Sequence, residues 1–442
     1  MQRTNPRRSQ AGFTVTEMVV SMIITVQIIV VALFMFDFNA RVTRAQTQLA
    51  DLQQSQRVAQ QEIVRTVRLA GRGRFPVTRA ALDGDDQPVP PFGFAIQLVN
   101  NVQVSNQLVA ENFSSSPKAV VGTDILVLRG VMTTPILTAA SQGSMTLVPD
   151  DRATATRGTL TIDRITAFAI EQDLSAFQLA IDEGRNEALI IIAPTGKHAI
   201  VELNTADSSH TADQLTLEFN IKGGSAEVYR DLWANDSPGS NIFPMHKGAS
   251  YVGILEEYRF YIREEFEANP MLDQTETELA PRLTRARLFP NTGLPWGVGS
   301  DPAVLRVALE EDIADGVFDL QVALGFDSAN GGQMSDDTNA DGDDDRILET
   351  VDGLTDDWLF NAAGDDPAAV PFLLAVGTRP PKLHYVRVST LTRATRPDWK
   401  YQSPVIPNLE DRDYSADATI NSELARQYRR RSLQTTIDLR NL

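Results

Sequence analysis

"GFTVTEMVVSMIITVQIIVVALFMF", residues 12–36, decides how the rest of this chain is read. From Phe13 to Phe36 run 24 residues with a single charge, Glu17. At about 1.5 Å per residue they make a helix of about 36 Å, enough to cross a hydrocarbon core of about 30 Å. A carboxylate in such a run costs several kcal/mol unless it finds a partner, which makes Glu17 a candidate functional residue. Arg3, Arg7 and Arg8 precede the run without any acid, so the positive-inside rule places the N-terminus in the cytoplasm. The apolar run is longer than the core of about 7–15 residues found in a secretory signal peptide. A plain membrane anchor would leave both Gly12 and Glu17 as accidents.

Helical character continues beyond Phe36. Between Asp37 and Ala70 there is no Gly or Pro, and Val42, Ala45, Leu49, Leu52, Ala59, Ile63 and Val67 recur near a helical period. Gln and Arg fill the other positions, which predicts an amphipathic stem with its apolar stripe on a globular head. Gly71, Gly73 and Pro76 end it.

After Pro76 the texture changes to short runs rich in β-formers, bounded by Gly, Asp, Asn and Pro. Strands are expected at 94–99, 124–129, 187–193, 214–219, 251–262, 318–326, 383–391 and 433–439. Residues 264–312, rich in Glu, Pro and Arg, and 327–369, rich in Asp and Gly, read as insertions or loops. Across 442 residues, 42% hydrophobic, there is material for one large head domain or two small ones. There is no cysteine, so an exported head has to be held by packing, and by metal if it binds one. The net charge of −18 argues against nucleic acid as a partner.

Gly12, Phe13, Thr14, Val15, Thr16 and Glu17, followed by the apolar run, resemble the class III signal of type IV pilins and type II secretion pseudopilins. Val15 stands where Leu is usual and Ala11 where Lys or Arg is common. Later segments, "LAGRG", "GTDILVLRG", "YRFYIRE", "LQVALGFD", "VRVSTLTRA" and the terminal "RRRSLQTTIDLRNL", are similar in order to the PilW group of minor pilins.

The resemblance implies an α+β fold in which a long N-terminal pilin helix, half in the membrane and half amphipathic, packs on a large, mainly antiparallel β head. Residues 1–12 would be a leader cut off by prepilin peptidase between Gly12 and Phe13, with the new amine of Phe13 methylated. Residues 13–36 would be the membrane and filament-core half of the helix and 37–71 its stem. The head would occupy 72–442, with the acidic insertion at about 327–369. Glu17 would dock on the amine of a neighbouring subunit. The implied role is a minor type IV pilin that sits in the inner membrane before assembly and then primes or caps the filament at its tip. Its partners would be other minor pilins, the major pilin and a PilY-type tip protein. The alternatives are a J- or K-like pseudopilin of type II secretion and a calcium-binding adhesin exported by a prepilin signal.

Within "SDDTNADGDDDR", residues 335–346, Asp337, Asn339, Asp341, Asp343 and Asp345 place side-chain oxygens at alternate positions around Gly342. That spacing suits Ca2+, a hard cation that takes six to eight oxygens. Leu348 occupies the twelfth position and Glu349 lies one beyond, so the bidentate glutamate of an EF-hand is displaced. The competing reading is a solvated acidic loop. His198, His210, His246 and His384 are scattered, and no nucleophile elbow, phosphate loop or metalloprotease motif is present, so an enzyme is not expected. Arg429, Arg430 and Arg431 precede the terminal strand; pairing with carboxylates, or covering a sheet edge, fits them better than contact with nucleic acid.

Overall fold

A computed structural model describes residues 14–73, 95–99, 102, 119–139, 144–195, 197–222, 242–245, 248–268, 277–290, 310–326, 358–359, 383–406, 408–410, 412–414 and 418–439. The chain begins as one helix, α1 (Val15–Leu69), of 55 residues and about 80 Å. Thr14 caps it in extended backbone, and Thr14 and Glu17 form a capping box that sets the first turn. No break separates the apolar run from the stem. At the other end Gly71 and Gly73 take positive φ, 76° and 94°, which reverses the chain onto the head. Gly71 N then donates to Arg129 O at 2.9 Å, and Val131 N to Arg72 O at 2.9 Å. A Cβ on Gly130 would stand 2.9 Å from Leu69 O, so that glycine permits the close approach.

The head is antiparallel sheet throughout. The first sheet runs β1 (Ile96–Val99), β2 (Ile125–Gly130), β11 (Glu256–Ala268), β12 (Thr277–Leu288) and β13 (Glu310–Asp315) in spatial order. The second runs β3 (Leu137–Thr138), β10 (Tyr251–Ile254), β6 (Ala188–Ile192), β7 (His198–Leu203), β9 (Gln214–Asn220), β5 (Arg157–Asp163) and β4 (Met145–Val148), with β8 (Ser209–His210) beside β9. The third runs β15 (Trp358–Leu359), β14 (Val317–Phe326), β16 (Leu383–Arg393) and β19 (Arg430–Asp438). A small hairpin joins β17 (Asn408–Leu409) to β18 (Arg412–Asp413). Two short helices, α2 (Ser175–Asp182) and α3 (Ala418–Asn421), and a 3-10 turn at Ala425–Gln427 complete the described elements.

Two points carry the chain between sheets. The expected single strand at 251–262 is two strands, because Leu255 N turns to donate to Ala188 O at 2.7 Å and β11 leaves for another sheet. Gly316, at φ 75°, joins β13 to β14; a Cβ there would lie 2.6 Å from Arg393 O. The long reading of 264–312 as an insertion is corrected in part. Residues up to Ala268, Thr277–Leu288 and Glu310–Asp315 are sheet, with β11 and β12 in register over their full length. Their charges are cross-strand partners instead of loop solvation: Arg263 and Arg282 lie 2.5 and 3.0 Å from Asp312.

Burial follows strand alternation. Ala188, Ile190 and Ile192 of β6 enter a core shared with α1, the first sheet and the third, whereas Leu189, Ile191 and Ala193 enter a second core with Phe177 of α2. Both faces of β6 are therefore covered, which is why its sequence is an unbroken apolar run. Buried ions sit on the first sheet, on β2 and β11. Arg129 meets Glu257 at 2.5 Å, and Arg259 donates to the same carboxylate at 2.7 Å. Glu256 accepts from the backbone of Met132 and Thr133 at 2.8 and 2.6 Å. Each buried carboxylate thus has charged or hydrogen-bonding partners, as burial of a charge demands.

Candidate functional site in the N-terminal helix

Helix α1 has two halves of opposite character. From Val15 to Phe38 its large apolar side chains are exposed, with Phe34 at 71% and Phe38 at 67% of their full accessible surface. No part of the head covers the most apolar stretch, and it is long and apolar enough to span a membrane. An uncovered cylinder of this kind is stable only in lipid or against other apolar helices.

The second half is held. Leu52, Gln56, Ala59, Gln60, Ile63, Thr66 and Val67 are buried, at spacings of three and four that draw one stripe along the helix. Ala59, Ile63 and Val67 enter the main core, where α1 touches β2, β13, β16 and β19. Gln56 Nε2 donates to Arg431 O at 3.1 Å. Gln60 Nε2 reaches Thr390 Oγ1 at 3.2 Å and Leu433 O at 3.3 Å. Glu62 pairs with Arg285 of β12. These contacts fix the helix axially on the edge of the third sheet.

The predicted stripe is therefore too long by three positions. Val42 and Leu49 stay exposed and Ala45 is only half-buried; the first reach to the head is Gln48 Nε2 to Arg396 O at 3.4 Å. The two buried glutamines were missed by a search for apolar residues alone. Their positions, four and three residues before Ala59's neighbours Gln60 and Ile63 on the same stripe, carried the signal.

Glu17 stands in the first turn. Its Oε2 accepts from Thr14 N at 2.9 Å and from Thr14 Oγ1 at 3.0 Å. Thr14 thus supplies hydrogen bonds but no countercharge. Gly12 and Phe13 lie outside the described residues, as do Asp337, Asn339, Asp341, Asp343 and Asp345. Among the described residues no group of three or more His, Asp or Glu is arranged to hold a metal ion.

The three arginines before β19 divide. Arg429 pairs with Asp398 at 3.0 Å and lies over Tyr401. Arg430 has no carboxylate partner among the described residues; it donates to Ile420 O and lies near Phe318. Both β19 and its arginines are at an edge of the third sheet. Far along the head, a shallow groove of about 510 Å³ lies between Arg164, Glu171 and Asp173 and the start of α2. An exposed hairpin tip beside it carries Phe168 and Ile170.

Comparison with family models, with curated proteins and with solved structures returned no match for this chain.

Proposed function

We propose that this protein is a minor type IV pilin of the PilW kind, held in the inner membrane by the first half of α1 until it joins a filament, where it primes or caps the tip. The reading rests above all on the division of one unbroken helix into an apolar half that the head leaves bare and a half that it grips. A subunit so built can transfer its bare half from lipid to a bundle of like helices without refolding, since both surroundings are apolar. The head travels as a rigid load on the packed half.

Glu17 gives the transfer its register. In low dielectric the carboxylate gains little from the neutral Thr14, and a cationic amine offsets far more of its desolvation. The processed N-terminus of Phe13 on a neighbouring subunit would be that cation, and the match is made at one axial position only. The large head suits a tip, where no further subunit has to stack above it.

The experiment is co-expression of the full chain with a prepilin peptidase and a pilus assembly apparatus. The expected product begins at a methylated Phe13, and Glu17→Ala is processed normally yet excluded from filaments. An uncut Gly12–Phe13 bond, or incorporation of Glu17→Ala at the wild-type level, overturns the reading. Co-purification with secretion pseudopilins in place of minor pilins would assign the same mechanism to the neighbouring machine.

A further inference from the structure

The underside of the head, where α1 first meets it, has a composition unlike the rest of the molecule. Residues 393–406 and 418–431 hold Arg393, Arg396, Lys400, Arg426, Arg429, Arg430 and Arg431 with two acids, Asp398 and Glu423, while the segment between them, 407–417, adds Glu410, Asp411, Asp413 and Asp417 against Arg412. That excess stands on a chain whose net charge is −18. Among these residues are exposed apolar side chains, Trp399 at 74%, Leu424 at 67% and Val405 at 48%. Trp beside cations is the composition of surfaces that rest at the headgroup level of a bilayer.

Packing explains the cluster only in part: Arg393 lies over Tyr428, Arg429 over Tyr401 and Arg430 near Phe318, and Arg426 Nε donates to Ser403 O at 2.8 Å. Arg393 of β16 is directly opposite Arg430 of β19, and Thr392 opposite Arg431; like charges across a ladder are destabilising. Arg430 is partly buried, and the charges acting on it are those of Arg393 and Arg426, so burial and repulsion together bring its pKa down to about 10. Nε and Nη1 of Arg430 and Nε of Arg429 are buried without an acceptor among the described residues. Asp398 answers Arg429. Arg396, Lys400 and Arg431 are exposed at the rim of the cluster, where their charge is open to an external anion.

Its position says which anion. Along α1 the contacts ascend in order: Gln48 to Arg396, Gln56 to Arg431, Gln60 to Leu433. The arginine end of the third sheet is thus the end facing the apolar half. Phe38, the last large residue of that half, precedes Gln48 by ten positions, about 15 Å of helix. The headgroup layer occupies about 5–8 Å outside the hydrocarbon, and a modest helix tilt closes the remainder on one side.

From this geometry we infer that the base of the head, centred on Arg396, Trp399, Lys400, Leu424 and Arg431, docks on anionic phospholipid and so fixes the head's angle to the membrane before assembly. Cations meet lipid phosphates, and Trp399 and Leu424 enter the interface between headgroup and acyl chain. Leaving the membrane for a filament then requires breaking these contacts, which are electrostatic and weaken with salt. The inference rests on the membrane half of the proposed function and not on the pilus.

Because the chain has no cysteine, a single introduced one is a unique attachment point. The full chain carrying Gln402→Cys, an exposed site in the patch, is spin-labelled and reconstituted in vesicles of phosphatidylcholine, with or without phosphatidylglycerol. Glu183→Cys, exposed at the C-terminal end of α2, is the distant control, and Ile29→Cys reports the span. Expected is protection of the 402 label from a water-soluble relaxation agent only with phosphatidylglycerol. Each of Arg396→Gln, Lys400→Gln and Arg431→Gln lowers the docked-to-undocked ratio about fivefold, and the label at 183 stays accessible. Equal accessibility of the 402 label in both vesicles overturns the docking, as does protection in lipid-free detergent, which would mark a second protein copy as the occupant. A water-accessible label at 29, by contrast, overturns the membrane reading itself.

Discussion

The two halves of α1 are one continuous helix, yet the more hydrophobic half is bare and the more polar half is buried. Ile28 is 63% exposed and Ile63 fully covered. Hydropathy and burial run in opposite directions along this helix. The second half needs a stripe only, since the head covers one side, and it can use Gln and Glu there to read backbone carbonyls and Arg285. The first half is apolar on every side, as befits a cylinder surrounded by lipid or by other helices. Amphipathicity marks contact with this molecule's own head, and uniform hydropathy marks contact with something outside it.

The same substitution in the two halves should break that comparison most sharply. Ile63→Asp puts an unpaired carboxylate into the main core and is expected to cost more than about 4 kcal/mol of head stability. Ile28→Asp should leave head unfolding within about 0.5 kcal/mol of wild type and instead oppose membrane insertion by about 3 kcal/mol. Thermal melts and vesicle flotation separate the two effects. Equal melting losses would mean that the first half is also packed.

Arg129→Ala comes next, because it strips buried Glu257 of one of its two arginine partners, leaving Arg259, beside the joint onto which Gly71 closes. A loss of about 1.5–3 kcal/mol in denaturant unfolding is expected. Full preservation of the midpoint would show that the pair adds nothing to the grip on the helix end. In the bare half, Thr14→Ala removes the cap and should cost about 1 kcal/mol, seen as faster amide exchange over residues 15–18 in micelles with no change in the head.

The smallest effect is confined to acid. Asp312 is partly buried, which raises its pKa, but hydrogen bonds from Arg263, Thr284 and Arg282 outweigh burial and leave it below the usual carboxylate value. A carboxyl lowered by folding stabilises at pH above its unfolded pKa of about 3.9 and loses that contribution as pH falls through the folded value. Asp312→Asn should therefore lower stability near neutrality and flatten the acid limb of the stability profile below about pH 4. An unchanged acid limb would remove the packed side's pH dependence from this strand.

Much of this was legible in the chain itself. Eight expected strands correspond to described elements, since each is a run of β-formers between turn residues, although the run at 251–262 proved to be two strands. The hairpin β11–β12 and strand β13 were misread because Glu and Arg are sparse in strands by propensity. Only tertiary pairing, in which Arg263 and Arg282, opposite each other on β11 and β12, share Asp312 of the neighbouring β13, makes them favourable there. Gln60 lay on the stripe but was passed over as polar, because the partners that satisfy it lie more than 300 residues away.

Sequence alone determined the helix and its length, because these depend on neighbours within a few turns; the capping box of Thr14 and Glu17 was seen only in the structure. Sequence also determined that the head would be sheet. Tertiary structure decided where the head takes hold, at Gln48 and Leu52 instead of Val42, since that depends on which strand ends reach the helix. It alone brought Arg393 opposite Arg430, because charges distant in sequence act on each other only once the strands that carry them are paired.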